Sequence, residues 1–209
     1  AEGFAAVHPD VRVSVGLSGT GGGFEKFCAG ETDISNASRA IKDSEAEICS
    51  AAGIEYVEFL VAFDGMSVLV NPANDFVECL SMEQVTSLLR PDADNNFDTW
   101  DQVDPSFPAE PIKFYVPDTD SGTYDFMVEQ IVKAGELPEE LEALRQDDQT
   151  TFSSDDNVLL DGIAGDEYAF GYFGFAYYIN NTDKVRAVAI ENGDGECVLP
   201  TDEHVQDGS

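Results

Sequence analysis

The sequence predicts a mixed α/β fold, and three observations carry that reading. An alternating apolar run, Val11, Val13, Val15 and Leu17, has the two-residue period of a half-buried strand. It passes through Ser18, Gly19, Thr20 and three more glycines into an amphipathic helical pattern that starts at Phe24. The same order returns further on: a strand-like run at 112–116, a turn containing Ser121, Gly122 and Thr123, then a helical pattern at 124–132. Third, strand-like and helical patterns alternate along the rest of the chain. A strand leading through a glycine-rich turn into a helix lets free backbone N–H groups converge on an anion. Two such elements facing each other make a closed cradle.

Taken in order, residues 1–10 start inside an element. Residues 33–39 read as a short strand ending in polar groups, and 42–52 as an acidic helix with Ile48 and Cys49 turned inward. Two strand-like runs within 56–72 are broken at Asp64-Gly65, and Asn71-Pro72 closes them. Ser81 caps a helix that Arg90-Pro91 stops. Trp100 is a packing anchor in a polar stretch, and Pro138 opens a further helix over 137–141. Asp155 caps a helix containing Leu159, Leu160 and Ile163. Residues 170–179 form a long aromatic strand whose glycines admit another backbone, 185–190 a last strand, and the tail from Asn192 is polar.

The totals bound the function. The chain's 209 residues, 43% hydrophobic, suffice for a core and one or two domains. With 10 Lys+Arg against 42 Asp+Glu the net charge is −32, which repels nucleic acid and anionic membrane surfaces and marks a heavily solvated surface suited to salt water. No stretch matches a calcium loop or reaches the length of a membrane span. There is no Cys-x-x-Cys, and His8 and His204 sit in polar terminal stretches, so no metal or other cofactor is expected. Pairing Cys28 with Cys49 and Cys79 with Cys197 suits an oxidising compartment; four free buried thiols are the alternative.

Six segments in order then identify a resemblance: residues 18–23, 36–41, Asp64-Gly65, 117–123, 155–158 and 171–178. Together they resemble the extracytoplasmic phosphate-binding component of bacterial and archaeal phosphate ABC transporters. The resemblance implies a two-lobed, Venus-flytrap (type II periplasmic-binding-protein) fold with the ligand between α/β lobes. Lobe one is then residues 1–70 plus 175–209 and lobe two residues 71–174. Members of that family carry an earlier strand with a Ser/Thr-rich turn and a further closing segment, so the fold is expected to be trimmed at both ends. It also implies a periplasmic or cell-surface location, a membrane permease as partner, a monomer, and no catalysis.

Phosphate offers several acceptors and at least one proton at neutral pH. Ser18, Ser38, Ser121 and Thr123 can donate from hydroxyls, and Gly19, Thr20, Gly122 and Thr123 from the backbone. Arg39 offers a fork that matches an oxyanion, with a surface salt bridge as its alternative role. Asp64, or failing it Asp120, is the candidate acceptor for the phosphate proton; capping a turn is the alternative for each. Two other functions stay open: a receptor for another tetrahedral oxyanion such as sulfate or molybdate, and a phosphatase-like enzyme. An extracellular adhesion or sensor domain that has lost its ligand is a third. The enzyme is disfavoured because no partnered histidine and no metal-ligand cluster stand near Ser121 or Asp118.

Overall fold

The structure is a computed structural model that describes residues 2–16, 18–91, 96–119, 121–134 and 144–207. Leu17, Asp120 and the expected helix at 137–141 lie outside the described residues. The chain forms two compact units, Ala1–Glu58 and Phe59–Ser209.

The described residues of the first unit include helices α1 (Glu2–Val7), α2 (Thr20–Cys28) and α3 (Asp43–Ala51). Helix α2 starts at Thr20 rather than Phe24, so the three glycines form its first turn instead of the turn before it. Each glycine costs a helix interior about 1 kcal/mol relative to alanine. Burial of Phe24 and Cys28 offsets this, as does the Cys28–Cys49 disulfide, whose Cα atoms stand 4.3 Å apart and which ties α2 to α3.

Three expected strands are corrected here. Residues 11–16, 33–39 and 56–63 pair with nothing as strands among the described residues. Val11, Val13, Val15, Ile34, Phe59 and Val61 are all exposed. Alternation marks a chain suited to a sheet, but an extended segment recovers its ordering entropy only when a neighbouring strand completes the ladder. Among the described residues no such neighbour is supplied for them.

The second unit is built on a five-stranded sheet in the order β4-β3-β5-β1-β6. Its strands are β1 (Met66–Val70), β3 (Lys113–Pro117), β4 (Thr150–Ser153), β5 (Ala169–Gly174) and β6 (Arg186–Ala187). Strands β3, β4 and β5 are parallel, while β1 runs antiparallel between β5 and β6. A second sheet joins β2 (Cys79–Leu80), β7 (Ala189–Glu191) and β8 (Cys197–Val198), and the Cys79–Cys197 disulfide links its outer strands.

Both faces of the main sheet are covered, so β5 is buried along almost its whole length. On one face Phe170 and Tyr172 pack with Val85 and Leu88 of α4 (Met82–Leu89), Trp100 of α5 (Trp100–Val103) and Met127 of α6 (Gly122–Ala134). On the other, Ala169 and Phe173 meet Leu159, Leu160 and Ile163 of α7 (Asp156–Gly165). Helix α7 can lie this close because of glycine. A Cβ at Gly162 would strike the Tyr115 ring, and one at Gly171 would strike the Tyr115 carbonyl oxygen and, at 2.6 Å, Ile163.

Local signals held where the local residues complete them. Ser81 and Gln84 form a reciprocal capping box on α4: the Gln84 N–H donates to Ser81 Oγ at 3.2 Å, and the Ser81 N–H to Gln84 Oε1 at 2.9 Å. Trp100 is fully buried, and its indole N–H donates to the Tyr168 carbonyl at 3.0 Å. The aromatic strand, however, stops at Gly174 and turns into α8 (Phe175–Tyr178), because the Phe175 N–H bonds back to the Gly65 carbonyl at 2.7 Å. The strand at 185–190 splits, β6 joining one sheet and β7 the other. The polar tail forms β8 and α9 (Asp202–Asp207).

Candidate functional site: two hydroxyl-bearing helix starts

In the first unit, Ser18, Gly19, Thr20, Ser38 and Arg39 gather at the start of α2. Gly19 is the N-cap residue and, as a glycine, supplies no side-chain cap to the positive end of the helix dipole. Thr20 Oγ1 lies 3.0 Å from Ser38 Oγ and accepts the Ser38 N–H at 3.3 Å. That pair brings the 36–39 segment onto the helix start. Gly22 permits a near approach by Ser18, whose Cβ would stand 3.4 Å from an added Cβ there. Three hydroxyls from two separate segments therefore share one helix end.

Arg39 is held in place by carbon and carboxylate together. Its Nη1 and Nη2 donate to Glu45 Oε2 and Oε1, each at 2.8 Å, and Nη1 also donates to the Ala40 carbonyl at 3.1 Å. The guanidinium lies 5.4 Å from the centre of the Phe24 ring. Glu45 additionally accepts the Lys42 N–H at 2.8 Å, which caps α3. The Arg39 hydrogen bond is the chief reason that the Glu45 carboxyl drops from 4.5 to about 2; burial opposes it, and the Lys42 bond and the Arg39 charge add to it. Sequence reasoning did not find Glu45, although its place three residues after Lys42 fits a capping position.

In the second unit, the turn after β3 leads straight into α6. The Ser121 N–H donates to the Asp118 carbonyl at 3.0 Å, and Ser121 Oγ accepts the Thr123 N–H at 3.2 Å. Strand β4 lies beside β3 with Ser153 opposite Pro117, and the Asp118 N–H donates to the Ser153 carbonyl at 3.3 Å. The turn after β4 launches α7 at the same edge. Here Asp155 accepts two bonds from Asn157 at 2.9 Å, and the Tyr177 hydroxyl donates to Asn157 Oδ1 at 2.6 Å. Those Asn157 bonds hold the Asp155 carboxyl below its ordinary range. Burial pushes Asp125 up, and burial followed by the Asp155 charge pushes Asp156 up.

Asp64 reaches this edge by topology. Met66, at the start of β1, pairs with Gly174, at the end of β5, so the antiparallel strand begins where the parallel ones end. Asp64 itself is exposed and accepts the Gly65 N–H at 3.0 Å. The carboxyl ends of parallel strands, with helix starts above them, are where open α/β sheets bind ligands. Ser153, Asn157 and Tyr177 are polar groups of this edge that sequence reasoning did not place there. Among the described residues, no group of three or more His, Cys, Asp or Glu side chains could hold a metal ion. Among the described residues, no helix is long and apolar enough to cross a membrane.

The model of the PBP superfamily domain matches residues 1–209. The chain is 42% identical over 208 residues to the phosphate-binding protein PstS of Staphylococcus saprophyticus, covering 100% of this chain and 60% of that protein. A solved structure described as a possible phosphate binding protein from Planctomyces limnophilus is 41% identical, with a TM-score of 0.80 over 100% of this chain and 70% of that one. A phosphate-bound ABC-transporter substrate-binding protein from Clostridium perfringens is 26% identical, with a TM-score of 0.63 over 99% of this chain and 73% of that one. The chain spans about three fifths of the length of the curated relatives it matches.

Proposed function

The chain belongs to the PBP superfamily, and from that premise we propose that it serves as an extracytoplasmic receptor for inorganic phosphate. In this reading it delivers the ion, as a monomer and without catalysis, to the membrane permease of a phosphate ABC transporter. The observation that carries the reading is the repeated donor arrangement: a hydroxyl-bearing turn entering a helix in each unit, one at Ser18-Gly19-Thr20 and one at Ser121-Gly122-Thr123. The printed names of the relatives support the choice of phosphate.

The proposed ligand set is Ser18, Gly19, Thr20, Ser38, Arg39, Ser121, Gly122 and Thr123. The proposed lobes are 1–70 plus 175–209 and 71–174, the ion lying between them. Arg39 gives its two terminal nitrogens to Glu45, so its proposed part is that of a fixed positive charge beside the hydroxyls. Asp64, or Asp120, accepts the proton that phosphate keeps and sulfate lacks. A site that bonds a ligand's hydrogen can reject the analogue without it by roughly 10⁴-fold.

Isothermal titration with phosphate and with sulfate tests the reading. Phosphate heat with no sulfate heat is expected, and heat with neither ion would overturn it. Asp64→Asn, or failing that Asp120→Asn, should weaken phosphate and narrow the gap to sulfate. Full selectivity in both variants would remove the proton-acceptor role from these two residues. Release of product from a chromogenic phosphate ester would replace the receptor by an enzyme.

A further inference from the structure

The negative charge is unevenly shared. Residues 1–58 hold 4 Lys+Arg against 10 Asp+Glu, a net −6, whereas residues 59–209 hold 6 against 32, a net −26. Two of the second unit's six cations are engaged in holding the fold. Arg145 is buried against Asp98 and Asp147, and Arg186 donates to the Asn74 and Val77 carbonyls. Lys113 opens β3, at the end of the strand opposite the Ser121 turn. The ligand-facing edge of this unit instead carries acids, with Asp64, Asp118, Asp125, Asp155 and Asp156 on the turns and first helical turns described above. An anion approaching the Ser121 turn therefore climbs a repulsive field before it meets a single donor.

We infer that ionic strength governs ligand capture in this protein, with phosphate bound more tightly as salt rises. The inference rests on the phosphate-receptor reading. An ordinary anion site built from cations weakens in salt, because the attraction it relies on is screened. Here the long-range term has the opposite sign. The Debye length falls from about 10 Å at 0.1 M to about 3 Å at 1 M, so salt removes the repulsion felt during approach. Hydrogen bonds from hydroxyls and backbone N–H groups act at about 2.7–3.2 Å and persist. Association accelerates, dissociation stays nearly constant, and the dissociation constant falls.

The test is equilibrium binding of radiolabelled inorganic phosphate to the wild-type chain between 0.1 and 1 M NaCl, repeated in choline chloride. A field of this kind changes association on the order of 10-fold or more, so a fall of about 10-fold in Kd is expected in both salts. The double variant Asp194→Lys with Glu196→Lys, on the exposed β7–β8 turn of the other sheet, lowers the net charge to −28. It should bind more tightly at 0.1 M and respond less to salt. A Kd that is flat or rises with salt, or that falls only in NaCl, overturns the screening inference while leaving the receptor reading intact. Failure to bind at every salt concentration overturns the receptor reading instead.

Discussion

Replacing Glu45 by Gln should destabilise α3 and its contact with the 39–42 segment by about 1–2 kcal/mol at neutral pH, and by nothing measurable near pH 2. Both carboxylate oxygens are engaged: Oε1 accepts from Arg39, and Oε2 accepts from Arg39 and from the Lys42 backbone, all at 2.8 Å. The carboxyl titrates at about 2 rather than 4.5. Each pKa unit corresponds to about 1.36 kcal/mol, which sets a ceiling of about 3.4 kcal/mol. Solvent reaches the pair, the side chains being 27% and 19% exposed, and its screening brings the contribution to about 1–2 kcal/mol. Because the folded pKa is depressed, the stabilisation is complete above pH 4.5 and is lost as pH falls through about 2. Trp100 is the chain's one tryptophan and sits in the second unit, so its fluorescence would miss the effect. Hydrogen exchange of the α3 amides, compared between wild type and variant across this pH range, reads it directly. Equal protection at pH 7, or a difference that persists unchanged to pH 2, would refute the ion-pair account.

The remaining predictions concern the same scaffold. Arg39→Ala should weaken phosphate binding by more than any other single loss of a cation, at least 10-fold in a calorimetric titration, and a larger effect from Lys113→Ala would contradict the proposed ligand set. Arg145 is 1% exposed and bonds Asp98, Asp147 and the Leu88 and Phe97 carbonyls while lying 4.0 Å from the Phe114 ring centre. Arg145→Ala leaves Asp147 without its charge partner and should cost about 3–5 kcal/mol in urea denaturation followed by Trp100 fluorescence. Gly171→Ala drives a methyl group into the Tyr115 carbonyl and should cost about 3 kcal/mol or more in the same experiment; a change under about 0.5 kcal/mol would show that the sheet yields freely there.

What the sequence by itself determined were the features whose causes lie within a few residues. The Ser81–Gln84 box, the Asp155 cap, the start of α6 after Ser121 and the inward stripe of α7 depend on neighbours in the chain, and each forms where it was read. The two disulfides form in the pairing that suits an oxidising compartment, across separations of 21 and 118 residues. Tertiary structure decided the rest. Alternation at Val11, Val13 and Val15 states that a segment suits a sheet, but the ladder needs a partner from elsewhere, and none is described. The run at 185–190 has one pattern and two destinations, because Val188 donates to Val68 in one sheet while Ala189 donates to Glu78 beside the other. Arginine roles are the sharpest case. Arg39 and Arg145 are alike in sequence, each a lone cation in an acidic chain. Only the fold places Glu45 across from the first, and the end of α4 and the Phe114 ring around the second. A guanidinium's part is set by which acceptors surround it, and these include groups 6 residues from Arg39 and 57 residues from Arg145.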